Sequence, residues 1–480
     1  MKVTLKERLL GLKGNEVIAF SLLVFGQTML GSAVSTGVNI LFTDVWHLTA
    51  WTTAFIMLGA KIAEALANPF SGYLVDRTNT KWGKCRPYIL FATVPLVAAT
   101  ILMFLPVNLG TNGDIIFLTA TFMIYTVANV FFYLPMSGLM PLAFPDTVKR
   151  TKAISYSSTL GSMGSILPSL LFFLIADLVA RGSGNDKLGY FISAIAFTLP
   201  SALLIFLTFN KIKEKVVIPN KKEKYLESIK FVVKNKPLLL VVISSIMLPL
   251  ANLTGGFIGY FSKWAYVDTI NFGGVGNLAI LFPALSILSG FAYMLSMALV
   301  PFFLKYMSKK TLFIASSLFG IVANVAAYFI GYENIFLFAA FRFFTNFPVG
   351  IAAVLMSSFT TENVEYTQWK TGKRAEGAIF AMKNMIVSVF SAVTIVLPIM
   401  ILGILNYRPE AMQAIVDAKQ PLMQSEYGSF IHDIFFCMTI LSAFGYVLQL
   451  VPMLFYKFND KEYAVALAEI KARDEESAFL

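Results

Sequence analysis

KIAEALANPFSGYLVDRTNTKWGKCRPY, residues 61–88, decides how the rest of the chain is read. Its first part lies inside an apolar run and still carries Lys61, Glu64 and Asn68. At helical spacing these positions are i, i+3 and i+7, so they share one face. An ionised side chain at membrane depth costs at least ~2.5–3.5 kcal/mol, so it must be paired or reach water. The second part is a charged turn that interrupts the run, and the next apolar run opens at Pro87. The stretch therefore describes a polar site inside a membrane beside a charged hinge.

The surroundings agree with that reading. Of 480 residues, 57% are hydrophobic and only 14% charged. Mean hydropathy is +0.72, outside the range of ordinary soluble domains. Apolar runs of about 20 residues recur, each long enough for a bilayer core of ~30 Å. Twelve spans can be drawn: 16–43, 50–74, 87–107, 114–141, 153–178, 189–209, 237–262, 275–303, 311–331, 334–358, 376–404 and 430–456. This is an all-α membrane protein that crosses the bilayer many times. The start, MKVTLKERLLGLKGNE, is basic and amphipathic, without the pattern of a cleaved leader.

Lysine and arginine set the expected orientation. Thirty of the 38 fall in 2–13, 77–86, 149–152, 211–236, 305–310, 370–374 and 457–473. The alternate loops hold five: Arg181, Lys187, Lys263, Arg408 and Lys419. Both termini are then expected in the cytoplasm. The same distribution accounts for a net charge of +11 through membrane topology and not nucleic acid. The longest basic loop, 210–236, falls between spans six and seven. It divides a six-helix half, 1–209, from a second, 237–456, with a tail at 457–480. Six plus six around a long central loop is the plan of the major facilitator superfamily. FFYLPMSG at 131–138 resembles FFTNFPVG at 343–350, at equivalent places in the two halves. The loop 405–429 has room for a short interfacial helix, and the tail reads as a short soluble helix or disorder. Trp46, Trp51 and Trp264 fall at outer span ends, Trp82 and Trp369 at inner ones, where interfacial anchors sit.

No catalytic constellation is present: no Gly-rich phosphate loop, no HExxH, no nucleophile–histidine pair. An ATP-driven pump or a membrane protease is therefore not expected, and transport would draw on a gradient. No cofactor is implied. Cys85 and Cys437 form no metal spacing or disulfide frame. His47 and His432 stand alone and read as interfacial polar residues.

The candidate coupling site is Glu64 with Asn68 and Lys61. Glu64 and Asn68 offer oxygens to Na⁺, or Glu64 carries a proton alone, with Lys61 as its counter-ion. The alternative is an ion pair that only ties helices together. Pro69 follows and is placed to bend the helix. Span one carries Thr28, Ser32, Ser35 and Asn39 at i, i+4, i+7 and i+11, beside Gln27 and Gly31. That stripe is either a cavity wall or a helix contact through small residues. Span four offers Tyr133 and Ser137. Span five opens SYSSTLGSMGS, with Tyr156, Ser158 and Ser162 as candidates among small packing residues. The second half adds Asn252, Thr254 and Tyr260, then Arg342, Thr345 and Asn346, then Lys383, Asn384 and Ser388. Arg342 and Lys383 need negative charge at depth. An anionic substrate group would supply it, or Arg342 snorkels to the outer face. Hydroxyls, amides and rings together suit a neutral polyol such as a sugar.

Two loops resemble a known family. GYLVDRTNTKWGKCRPYIL, 72–90, and ENVEYTQWKTGKRAEGAIFA, 362–381, are similar to the inner loops of the melibiose-permease-like glycoside–pentoside–hexuronide:cation symporters. FTDVWHLT, 42–49, resembles the end of that family's first helix. The resemblance implies twelve helices in two halves and sugar uptake coupled to Na⁺, H⁺ or Li⁺. It also implies a cytoplasmic gate, carried here by Asp76, Arg77, Lys81, Arg86, Glu365, Lys370, Arg374 and Glu376. The family's cation-binding aspartates on helix two fall at Glu64 and Asn68, so one carboxylate is kept and the other is an amide. That departure favours H⁺ or an uncoupled carrier over Na⁺. The family's sugar-binding charges fall at Thr28, Tyr133, Ser158 and Ser388, and its helix-four tryptophan at Ser137. Their absence points away from melibiose as substrate, although Lys383 lies about one and a half turns from Ser388.

The expectation is a monomeric cation-coupled sugar symporter of the cell membrane, working by alternating access. The candidate substrate-binding residues are Gln27, Thr28, Ser32, Tyr133, Ser137, Ser158, Asn252, Asn346, Lys383, Asn384 and Ser388. A possible Na⁺ at Glu64 is the one metal considered. The alternatives are a carrier of a sugar acid or small organic anion, an uncoupled sugar facilitator, and a sensor or lipid carrier on the same fold.

Overall fold

The computed structural model describes residues 15–78, 80–145, 147–215, 235–269, 274–371, 376–458 and 460–479. The chain there is almost wholly helical. The first helices are α1 (Asn15–Ile40, continued as one π turn, Leu41–Val45), α2 (Ala50–Arg77), α3 (Arg86–Phe104), α4 (Thr111–Ala143), α5 (Thr147–Ser183) and α6 (Asp186–Phe209). After the central segment come α7 (Lys236–Ala251), α8 (Thr254–Trp264), α9 (Gly274–Phe303), α10 (Lys309–Ile330), α11 (Ile335–Thr371) and α12 (Glu376–Ile404). The last group is α13 (Pro409–Asp417), α14 (Gly428–Phe436), a π turn (Cys437–Leu441), α15 (Ser442–Leu454) and α16 (Asp460–Phe479). Among the described residues, 11 helical runs are long and apolar enough to cross a membrane. α13 occupies the loop where a short helix was expected. The tail, open between helix and disorder in the sequence, is helical as α16.

Local signals explain where the helices begin. Thr49 caps α2 by accepting from the Thr52 amide at 3.2 Å, and Ser308 caps α10 by accepting from Thr311 at the same distance. Asn235 caps α7 through Leu238 at 2.9 Å. Each side chain satisfies an amide that the first helical turn leaves without a partner. Pro87 sits in the first turn of α3, where its missing N–H costs nothing. Pro249 precedes an interruption. α7 stops two residues later, Asn252 and Leu253 turn, and α8 resumes at Thr254. Short turns close the break, the Asn252 amide donating to Pro249 O at 3.1 Å and the Gly255 amide to Asn252 O at 3.2 Å.

The chain forms two compact units. One comprises Met1–Asn220 with Tyr266–Pro283 and Asn406–Gln420; the other comprises Lys221–Ala265, Ala284–Leu405 and Pro421–Leu480. Inside the first, α1 packs on α5 and α6, α3 on α4 and α6, and α2 on α4. Inside the second, α7 packs on α15, α10 on α11 and α15, and α12 on α7. The pairings α3–α4, α1–α6 and α3–α6 thus recur as α10–α11, α7–α15 and α10–α15. That recurrence is the structural repeat at which the short FFYLPMSG and FFTNFPVG match hinted.

Apolar side chains cover the outward faces. Phe55, Leu66 and Phe91 are each more than half exposed, as hydrocarbon requires. Two tryptophans depart from the interfacial expectation. Trp264 is 1% exposed, and Trp46 is buried with the Lys187 ammonium 3.7 Å above its ring.

Candidate functional site

The first unit holds the polar site on α2. Glu64 lies close to the middle of the Ala50–Val75 span. Its carboxylate meets Lys61 Nζ at 2.7 Å, with the two side chains 31% and 28% exposed respectively. The pair is therefore neither sealed in a dry core nor free in bulk water. Asn68 donates its side-chain amide to the Glu64 carbonyl at 3.0 Å, which leaves the amide oxygen as an acceptor. Buried Tyr125 of α4 lies within electrostatic reach of Glu64. Among the described residues no three His, Cys, Asp or Glu side chains gather to hold a metal.

The stripe on α1 divides in two. Thr28 donates to Val24 O at 2.9 Å and presses on α5, where a Cβ added at Gly164 would meet its hydroxyl at 2.5 Å. Ser32 donates across to Ser165 O of α5 at 2.8 Å. These two side chains join helices. Ser35 is exposed, and Gln27 and Asn39 are half-buried, so the accessible face of α1 runs through them. On α4, Tyr133 is 54% exposed, and Ser137 donates back to its carbonyl at 3.1 Å. On α5, Ser158 and Ser162 are exposed, with Ser162 bonded to Ser158 O at 2.9 Å.

The second unit places its charges deeper. Arg342 on α11 is 6% exposed. One guanidinium nitrogen donates to Ser289 of α9 at 2.9 Å, while its Nε has no partner. A small cleft beside it is lined by Thr254, Asn324, Thr345 and Thr439. Asn346 donates to Arg342 O at 3.0 Å. Lys383 of α12 reaches Thr360 Oγ1 at 2.6 Å and Met356 O at 3.4 Å, both on α11. Among the described residues no carboxylate pairs with Arg342 or Lys383. Asn252 is exposed at the break between α7 and α8. The side chains of Asn384 and Ser388 lie outside the described set.

Among the described gate residues, Arg77, Arg86, Lys370 and Glu365 have neighbours within their own unit. Arg77 lies 4.2 Å over the Tyr73 ring, and Lys81 is exposed. Arg86 donates to Phe209 O at 3.1 Å and to Trp82 O at 3.3 Å. In the other unit Lys370 lies 3.7 Å over the Trp369 ring, and Trp369 donates to Glu469 of α16 at 2.6 Å. Glu365 accepts a hydrogen bond from Tyr463 of α16, whose phenol is pushed up by burial and then by that bond and the charge of Glu365. Beside them, buried Glu362 pairs with Lys309. Arg374 lies outside the described residues, as do the side chains of Asp76 and Glu376.

Sequence reasoning missed two acids here. Glu214 lies at the start of the basic central loop, and the amides it meets at 84–86 are about 130 residues away. Glu362 stood inside a recognised loop motif without an obvious partner, because Lys309 is 53 residues away.

Comparison with known proteins decides the family. The MFS/sugar transport protein family matches residues 19–460. The chain belongs to that family. As a member of this transport family it is a carrier and not an enzyme, and a multi-pass protein of the cell membrane. The family suggested by the two loop motifs is borne out. An uncharacterized symporter of Bacillus subtilis (strain 168), YnaJ, is 25% identical over 460 residues, covering 94% of this chain and 93% of its own. The isoprimeverose transporter of Lactiplantibacillus pentosus is 24% identical over 392 residues, 77% of this chain and 76% of its own. A crystal structure of the nucleoside transporter NupG (D323A mutant) superposes with a TM-score of 0.65 at 14% identity, over 92% of this chain and all of that one. That likeness establishes the shared fold.

Proposed function

We propose that this protein is a secondary active carrier that moves a glycoside or related sugar together with a cation, by alternating access. In this reading α12 is a further membrane span, which makes twelve, and both termini face the cytoplasm as the lysine and arginine bias favours. Residues 1–209 and 237–456 form the moving halves, 210–236 their connection and 457–480 the tail. The working unit is a monomer without a cofactor.

The observation that carries the reading is the Lys61–Glu64 pair at mid-depth on α2. A proton arriving on the Glu64 carboxylate cancels its charge and leaves the Lys61 ammonium without a counter-ion. The cost of a lone charge at that depth, at least ~2.5–3.5 kcal/mol, biases the protein between two conformations. Lys61 thus links the protonation of Glu64 to movement. Na⁺ fits less well. Lys61 already occupies one carboxylate oxygen, and Asn68 contributes one neutral oxygen where a second carboxylate would strengthen the site.

For the sugar, Gln27, Ser137, Ser158 and Asn252 supply amides and hydroxyls, and the exposed ring of Tyr133 supplies a stacking face. Thr28, Ser32 and Asn346 set the backbone that carries these groups, and Asn384 and Ser388 complete the set on α12. The test is uptake into proteoliposomes of radiolabelled isoprimeverose and other neutral glycosides, under a proton or a Na⁺ gradient. Accumulation driven by the proton gradient supports the reading. Glu64→Gln should abolish accumulation and retain counterflow, and intact uphill uptake by that variant would remove Glu64 from coupling.

A second reading, transport of a sugar acid or small organic anion, is favoured by Arg342 and Lys383, which lack a carboxylate partner among the described residues. Uptake of a glucuronide in preference to the neutral glycosides would select it.

A further inference from the structure

The central loop was read as a connector, yet its first residues are built into the end of the first unit that carries the charged hinge. The Glu214 carboxylate accepts the backbone amides of Lys84 and Cys85, each at 2.8 Å, and of Arg86 at 3.2 Å. These are amides at the start of α3, where the helix leaves donors without partners and its dipole favours an anion. Gly83 makes the approach possible. Its φ is +107°, and a Cβ there would lie 2.3 Å from the Glu214 carboxylate. The neighbouring contacts extend the fastening. Arg86 grips the end of α6 through Phe209 O and lies 4.7 Å over the Phe209 ring. The Lys215 amide donates to Leu142 O at the end of α4 at 2.9 Å, and its ammonium meets Glu16 of α1 at 2.5 Å. Residues 209–215 therefore join the ends of α1, α4 and α6 to the turn between α2 and α3.

We propose that Glu214 is a positioning residue for transport: it latches the 78–85 turn, with Lys81 and Arg86, to the start of the central loop, so that they move as one piece. The transport consequence rests on the carrier reading above; the latch itself does not. Three hydrogen bonds from buried or half-buried amides to one carboxylate are charge-assisted. Removing the acceptor strands the donors. Glutamine keeps one acceptor oxygen for the Cys85 and Arg86 amides, and loses the charge and the second oxygen that the Lys84 amide uses. The latch therefore predicts that Glu214→Gln retains much of what Glu214→Ala loses.

Cys85 provides a reporter. Its thiol is 3% exposed and packs toward Gly138 of α4. In a Cys437→Ser background it is the one cysteine left. Labelling with N-ethylmaleimide, on full-length protein in nanodiscs, should be slow for the parent. It should quicken about tenfold or more in Glu214→Ala, since stranded amide donors favour the open turn, and much less in Glu214→Gln. Amide hydrogen exchange at 84–86 should follow the same order. In proteoliposomes, isoprimeverose exchange by Glu214→Ala should lose maximal rate at an unchanged KM, with Glu214→Gln restoring most of it. Unchanged labelling and exchange protection in Glu214→Ala would overturn the latch. A raised KM with an unchanged maximal rate would overturn the positioning role. If Glu214→Ala does not fold, labelling of Gly83→Ala equal to the parent overturns the proposal, since a Cβ there occupies the space of the Glu214 carboxylate. Absence of isoprimeverose transport by the parent bears on the carrier reading and leaves the labelling result to decide the latch.

Discussion

The two units treat charge at membrane depth in different ways. In the first, Lys61 and Glu64 neutralise each other within one helix and keep about a third of their side-chain surface accessible. In the second, Arg342 and Lys383 are held by a serine hydroxyl, a threonine hydroxyl and a carbonyl. In the proposed function, an accessible pair exchanges its proton and reforms. A buried cation held by neutral acceptors stays in place until an anion arrives. The proposed coupling role thus rests on the first unit, and the second reading, an anionic substrate, rests on the second.

The strongest way to break that comparison is Glu64→Gln. It should eliminate uphill accumulation, measured in proteoliposomes, while counterflow continues. Next in size is Glu362→Ala, which leaves Lys309 beside a buried gap. Breaking a buried pair costs about 3–5 kcal/mol, so detergent melting should fall sharply whatever the substrate. If melting is unchanged, the Lys309–Glu362 pair is no structural tie. Arg342→Met should behave in the opposite way. A buried charge without a counter-ion is costly to hold, so an apolar side chain of similar length should be neutral or stabilising there. Melting should hold or rise, while uptake of any anionic substrate falls. A steep drop in melting would make Arg342 a packing element tied to Ser289.

Two smaller changes sharpen the picture. Trp369→Phe removes the bond to Glu469, worth about 1 kcal/mol. Limited proteolysis should then cut the tail around α16 sooner, and an unchanged rate would mean that apolar contacts alone hold α16. Ser32→Ala removes the cross-helix bond to Ser165. Such bonds average about 0.6 kcal/mol in membranes. Melting should drop by a degree or two and sugar affinity should not move. A lost affinity would return Ser32 to the binding surface.

Residues in the candidate sites were legible to different degrees. The Lys61–Glu64 pairing needs only helical periodicity, since partners at i and i+3 are neighbours by geometry. The stripe on α1 was also visible as a pattern. Which of its residues face water was not, because Thr28 and Ser32 are decided by Gly164 and Ser165 of α5, more than 130 positions away. Arg342 and Lys383 could be identified as costly, yet their hydroxyl partners come from other helices. The gate motifs could be recognised from their residues, but not that α16 engages Glu365 and Trp369.

Sequence alone settled that this chain is a membrane protein of many helices, belonging to a transport family. Hydropathy, basic loops and motif residues depend only on composition and local spacing, so they can be read along the chain. Tertiary structure alone decided which polar groups are spent on packing, which stay accessible, and that Glu214 caps α3. Those outcomes depend on contacts between helices far apart in the chain, and local propensity carries no record of such contacts.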